Sequence, residues 1–335
     1  MLDWRFSVAP MMGWTDRHER TFLRALSKHA VLYTEMIPEG ALVFGKKERF
    51  LDFHPSQHPV ALQLGGSDPE LMAQGARYGE EAGFDEININ IGCPSERGTH
   101  RLFGAHLMKH PELVAEIFQA MSEAVSIPVT IKTRIGVDRD DAYEPFVEFV
   151  ERQAAAGCKV FHIHARKAWL DGLSPKENRD VPPLRYEYVY RLKKQRPDLT
   201  ITINGGIKTM QECQRHLHAV DGVMLGREAY HNPYLLAQVD SQLYGDLGSP
   251  PLSREEFLDR VEPYIREQLE RGASLHGMTR HLLGLYQGCP GARIWRRTLS
   301  EEGVKDGAGI EVLHRAREAL ERTAREVAEY QASGL

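Results

Sequence analysis

The sequence predicts an α/β fold, a (β/α)8 TIM barrel followed by a small C-terminal helical bundle. Three observations predict it: eight short apolar or β-branched runs in the first two-thirds of the chain, segments of helical length between them, and polar groups where each run stops. The runs are Phe6–Pro10, Leu32–Glu35, Val60–Leu64, Glu86–Ile91, Val129–Thr133, Val160–His164, Thr200–Asn204 and Gly222–Gly226. They end at or near Met11, Glu35, Gln63, Cys93, Lys132, His164, Asn204 and the pair Gly226-Arg227. Strands alternating with helices imply parallel pairing with right-handed crossovers, and eight such repeats favour a closed barrel over an open doubly wound sheet. No G-x-G-x-x-G follows the first run, where Val8-Ala9-Pro10-Met11-Met12-Gly13 stands, and no P-loop occurs.

The connecting helices carry start and stop signals. Asp68-Pro69 places an N-cap before a proline at the first helical position, and the segment runs to Gly83. His110-Pro111 opens another that ends near Ser126. The turn-rich bridge from Tyr244 to Pro251 then breaks the rhythm. It divides the chain into a barrel over 1–244, a linker over 245–251 and a helical domain over 252–335, whose helices are expected at Arg254–Arg271, Met278–Tyr286, Ala292–Glu301 and Glu311–Glu329.

Composition sets limits. The 335 residues exceed the roughly 250 of a typical barrel, which leaves room for that second domain. With 42% hydrophobic and 27% charged residues, the chain can bury a sizeable core. The N-terminus lacks a secretory pattern and no run reaches the ~18 apolar residues of a membrane span, so a cytoplasmic protein with no membrane partner is expected. Its four cysteines form no C-x-x-C pair, so neither a zinc site nor a disulfide framework is signalled, and no metal is expected.

The run ends suggest an anion site beside a flat ring. Asn204-Gly205-Gly206 and Gly226-Arg227 occupy the places, after strands seven and eight, where barrels commonly hold a phosphate. Gln63, Lys132 and His164 offer an amide, a cation and a ring nitrogen that would face one mouth. FMN, with one phosphate and one flat ring, fits such a set. Lys132 would equally suit a Schiff-base lyase. Cys93, on a Gly-Cys-Pro turn, suits a general acid, and Cys158 and Cys213 suit small buried hydrophobes.

From Gly272 to Ser300 there is no acidic residue, while Arg280, Arg293, Arg296, Arg297, His276 and His281 fall inside. Arg293, Arg296 and Arg297 share one helix side, and Trp295 and Tyr286 are expected to add aromatic surface. A second basic cluster at Arg191, Lys193, Lys194 and Arg196 reads as solvated barrel exterior. A ring-reducing mouth with a phosphate-attracting domain suggests a nucleobase still attached to an RNA. A flavin dehydrogenase of a free pyrimidine and a non-catalytic RNA-binding barrel remain as rivals.

The chain resembles the tRNA-dihydrouridine synthases, specifically the bacterial A-type subfamily. The family resemblance rests on Ala9-Pro10-Met11, Thr15-Asp16, Arg20, Leu62 to Pro69, Asn88 to Ser95, Lys132-Thr133-Arg134, His164-Ala165-Arg166, Asn204-Gly205-Gly206 and Gly226-Arg227. The subfamily resemblance rests on Leu173 to Arg179 and Pro290 to Arg297. It implies that NADPH reduces FMN, that a D-loop uridine at about positions 20 and 20a of tRNA is reduced to dihydrouridine, and that Cys93 protonates C5. It further implies that Pro10, Met11, Met12, Gln63, Lys132, His164, Asn204, Gly205, Gly206, Gly226 and Arg227 hold FMN. Asn90 would meet the substrate base or its strand, and Glu177, Arg179, Asp180, Arg293 and Arg296 would guide the tRNA. A monomer is expected. The chain departs from the family pattern at Gly98, Arg101 and His106, so the loop after Cys93 is expected to pack differently.

Overall fold

In the computed structural model, residues 2–94, 102–140, 142–248 and 250–332 are described. Eight parallel strands close into a barrel: β1 (Phe6–Val8), β2 (Val31–Tyr33), β3 (Val60–Gly65), β4 (Glu86–Ile91), β5 (Val129–Arg134), β6 (Val160–His164), β7 (Thr200–Asn204) and β8 (Gly222–Leu225). β1 closes the ring by pairing with both β2 and β8, through Ser7 with Val31 and Ser7 with Met224. The short strand Ile37–Pro38 adds a further pairing to β3. Each expected run is a strand; Glu86–Ile91, Val160–His164 and Thr200–Asn204 match at both ends, and the other ends differ by at most two residues.

Side-chain alternation determines what the barrel encloses. On β4, Ile87, Ile89 and Ile91 alternate with Glu86, Asn88 and Asn90. Pairing keeps the polar parity in register around the ring: Gln63 with Asn88, Asn88 with Thr130, Asn90 with Lys132, Lys132 with His162, and His164 with Asn204. Glu86, Asn88, Thr130, His162 and Thr202 are all fully buried, so this interior is polar and must satisfy itself. Tyr33 and Trp4 donate to Glu86 at 2.8 and 2.6 Å, and Tyr33 also meets His162 Nε2 at 2.9 Å. Burial and the adjoining Glu86 hold the Tyr33 phenol well above its ordinary pKa, which keeps its proton in place.

The surrounding helices follow local rules. Asp68 caps Pro69–Glu81 by accepting from the Glu70 and Leu71 amides at 3.0 and 3.1 Å, and Gly83 turns the chain at φ 94°. The helix expected after His110 runs over Pro111–Ala124.

The chain forms two compact units, one of residues 1–17 and 29–226, the other of 18–28 and 227–335. The turn-rich stretch from Tyr244 to Pro251 therefore falls inside the second unit. That unit gathers the segment 18–28 because His18 meets Tyr264 at 2.8 Å and buried Glu19 meets buried His281 at 3.5 Å. Its main helices are Arg254–Glu270, Ala292–Glu302 and Glu311–Ala332. Between them the expected helix Met278–Tyr286 is instead Leu275–Thr279 and a 3-10 turn, Arg280–Leu282, followed by turns. In those turns Gly284 packs against backbone, since a Cβ there would lie 2.2 Å from the His231 carbonyl oxygen. Among the described residues, no helix is long and apolar enough to cross a membrane.

Candidate active site

Cys93 follows β4 and is half-buried, whereas Cys158 and Cys213 are fully buried, with burial pushing each thiol up to about 12. The turn that carries Cys93 is held from three directions. Asn90 Oδ1 accepts from the Gly92 and Cys93 amides at 3.0 Å each. The Ala105 amide donates to the Cys93 carbonyl at 2.9 Å, and Arg134 Nε donates to the Gly92 carbonyl at 2.8 Å. Arg134 also donates to the carbonyls of Lys167 and Asn178 at 2.9 and 3.1 Å, which ties the turn to the loop after β6.

Two contributors were given no role from sequence. Arg134 could have been given one, because it continues the polar parity of Thr130 and Lys132. Gly104 could not, since its role is steric: its φ is 54°, and a Cβ would lie 2.4 Å from the Cys93 carbonyl oxygen. Gly104→Ala should slow turnover and, through about 1 kcal/mol of left-handed strain, lower Tm by about 2–4 °C. A variant with wild-type turnover and melting would show that the turn does not depend on this close approach.

Around Cys93 the inward side chains at the strand ends converge. Lys132 Nζ lies 3.4 Å from Asn204 Oδ1, and the Asn204 amide donates to the Met224 carbonyl at 2.7 Å. Burial pulls the Lys132 ammonium down to about 8, Arg134 adds to the fall, and the Cys93 sulfur opposes it. Gln63 is buried and His164 half-buried. Gln63 Nε2 donates to Asn88 Oδ1 at 2.7 Å and its Oε1 accepts from Asn90 Nδ2 at 2.8 Å. Gln63 and Asn90 thus each retain one side-chain N–H for a further partner.

Beyond β7, Gly205 and Gly206 hold φ values of 117° and 74°. Side chains there would press on Leu184, at 3.0 Å from Gly205 and 2.7 Å from Gly206, so the backbone is bare where an anion could approach. Tyr186 fixes the bend by donating to the Gly205 carbonyl at 2.6 Å. Gly226 lies beside Met11, whose sulfur would be 3.8 Å from a Cβ on Gly226. Pro10 is half-buried and Met12 exposed in the turn after β1. A flavin mononucleotide fits this donor set: bare glycine backbone for the phosphate, a buried-edge lysine for a negative ring, and amide N–H groups for its carbonyls.

Glu177 and Arg179 form the 3-10 turn Glu177–Arg179, and Asp180 follows it; all three are exposed. The Glu177 carboxylate accepts from the Ser174 amide and hydroxyl at 2.8 and 2.6 Å, which holds its pKa below the usual range. Between them, buried Asn178 anchors the loop to Trp169. In the departing loop, Ser95, Gly98 and Arg101 lie outside the described residues. His106 belongs to the 3-10 segment Gly104–Lys109.

In the second unit, Arg227 opens the short helix Arg227–His231. Arg293, Arg296 and Arg297 are exposed on Ala292–Glu302 and make no ion pair among the described residues. The aromatic surface expected beside them is not there. Trp295 is fully buried, donates to the Leu282 carbonyl at 2.8 Å and packs edge-on against buried Tyr286. His281 is likewise buried, against Glu19. On the barrel, Arg196 pairs with Asp198 and Glu151, Lys193 with Asp221, and Arg191 lies over Tyr143.

Residues 7–323 match the family described as dihydrouridine synthase. The chain is 56% identical over 316 residues to the tRNA-dihydrouridine(20/20a) synthase of Pseudomonas aeruginosa, covering 94% of this chain and 95% of that protein. It is 53% identical over 320 residues to the Shewanella oneidensis protein of the same name, covering 96% and 95%. With the Synechocystis sp. protein of that name it shares 55% over 313 residues, 93% of each chain. Likeness of this degree along nearly the whole length, on top of the barrel and its cysteine turn, makes the chain a member of the dihydrouridine synthase family.

Proposed function

We propose that this protein reduces D-loop uridine in tRNA, at about positions 20 and 20a, to 5,6-dihydrouridine. The observation that carries this reading is the half-buried Cys93 thiol on a tethered turn, at the same barrel mouth as Lys132, Asn204 and the Gly205-Gly206 bend. FMN, held there, would supply hydride chemistry toward C6 of the base, with NADPH as the electron source.

The chain's own residues do the rest. Gly205, Gly206, Gly226 and Arg227 would hold the phosphate, and Pro10, Met11 and Met12 would lie beside the ring. Gln63, Lys132, His164 and Asn204 would hold its polar edge. Cys93 Sγ gives its proton to C5 and is left as a thiolate, which Lys132 and Arg134 both attract before solvent reprotonates it. Asn90 offers its remaining N–H to the base. Glu177, Arg179 and Asp180 guide the RNA at the barrel, and Arg293 and Arg296 do so in the helical unit by contacting phosphate.

An extruded pyrimidine suits the site because the C5–C6 edge is inaccessible within a stack. Action on tRNA fits a cytoplasmic, monomeric protein. Mapping dihydrouridine in tRNA from cells lacking the protein tests the proposal: the D-loop modification should vanish, and its persistence at those positions would refute the assignment.

A further inference from the structure

A single hydrogen-bonded chain runs up the barrel interior to Cys93. The Thr130 hydroxyl bonds to Glu86 Oε1. Asn88 Nδ2 donates to Thr130 Oγ1 at 2.7 Å, Gln63 Nε2 donates to Asn88 Oδ1 at 2.7 Å, and Asn90 Nδ2 donates to Gln63 Oε1 at 2.8 Å. Asn90 Oδ1 then accepts from the Gly92 and Cys93 amides.

Every link has only one direction compatible with both ends. A carboxylate can only accept and a backbone N–H can only donate. With the Glu86 carboxylate accepting at Oε2 from the Trp4 indole N–H at 2.6 Å and at Oε1 from the Tyr33 hydroxyl at 2.8 Å, Thr130 must give its hydroxyl hydrogen downward to Oε1 and take one from Asn88. That leaves the Asn88 oxygen toward Gln63, the Gln63 oxygen toward Asn90, and the Asn90 oxygen toward the cysteine turn. Reversing any amide would set donor against donor in a dry interior, where an unmade bond is costly.

We propose that Glu86 is a positioning residue: by fixing the direction of this chain it holds the Asn90 oxygen against the Cys93 turn and leaves Gln63 and Asn90 each with an N–H, not an oxygen, to present. The second half rests on the proposed function, in which those hydrogens meet carbonyl oxygens of the flavin and the uracil. The first half concerns the turn alone. Glu86 touches no reacting atom; it acts through Thr130, Asn88, Gln63 and Asn90.

Two variants break the chain at its base. Thr130→Val removes the relay hydroxyl, while Glu86→Gln can place an NH2 against Thr130 and reverse it. Thr130→Ser keeps the relay and serves as the rescue. The readout is the rate of iodoacetamide labelling at Cys93, resolved by peptide mass spectrometry on the full-length protein with Cys289 as internal reference. Thr130→Val and Glu86→Gln should each label Cys93 several-fold faster at unchanged Cys289, and lower kcat roughly tenfold with KM for tRNA unchanged. Thr130→Ser should match wild type in both. Wild-type labelling of Cys93 in either breaking variant, or accelerated labelling in Thr130→Ser, would overturn the proposal. Labelling requires neither flavin nor RNA, so a failure of the uridine-reducing assignment would appear separately, as inactivity of the wild-type protein.

Discussion

Cys93→Ala should yield a protein that is reduced by NADPH and binds tRNA at wild-type strength, yet forms dihydrouridine roughly 10²- to 10⁴-fold more slowly, the usual loss when a positioned acid is removed. The expectation follows from placement. The Cys93 backbone is held by Asn90, and its neighbour Gly92 by both Asn90 and Arg134, none of which needs the sulfur. Deleting Sγ therefore removes a proton source without releasing the turn. Rapid-mixing spectroscopy would follow flavin reduction, and mass spectrometry of digested tRNA would count dihydrouridine. Product formed at the wild-type rate would refute the acid assignment.

The paired change Arg293→Ala with Arg296→Ala should weaken tRNA binding by roughly 10²- to 10⁴-fold, since each charge-assisted contact is worth about 1.5–3 kcal/mol. Neither arginine is spent on an ion pair among the described residues, and both stand exposed on one side of Ala292–Glu302. Each lost phosphate contact should also remove roughly 0.7 to 0.9 from the slope of log affinity against log salt. Affinity measured over a salt series would show this, and an unchanged slope would mean that the arginines only solvate the helix. Flavin reduction by NADPH should be unaffected.

The fold was legible in the sequence wherever a local rule suffices. Asp68-Pro69 announced a helix, and the β-branched runs announced all eight barrel strands. What stayed hidden depends on distant partners. Glu86, Asn88 and Thr130 read as polar interruptions of a strand, and only closure of the ring shows that they satisfy one another. The segment 18–28 joins a unit that begins again at residue 227, which no contiguous reading can detect. The close approach of Gly284 to the His231 backbone, inside a stretch expected to be helical, is likewise set by a distant partner.

The candidate site divides in the same way. Cys93, Lys132 and the Gly205-Gly206 bend were visible because strands that stop on polar or conformationally free residues place them at one mouth. Gly104 was invisible because its contribution is the absence of a side chain. Trp295 was misread as surface although its position i+3 from Ala292 and i−4 from Leu299 puts it on the buried stripe, opposite Arg293, Arg296 and Arg297.

The most direct measurement incubates the purified protein with FMN, NADPH and an unmodified tRNA transcript and locates any dihydrouridine by mass spectrometry. The expected result is a protein that retains flavin and adds two hydrogens to D-loop uridine, dependent on Cys93. A polypeptide that binds no flavin, or one that leaves every uridine intact under these conditions, would contradict it.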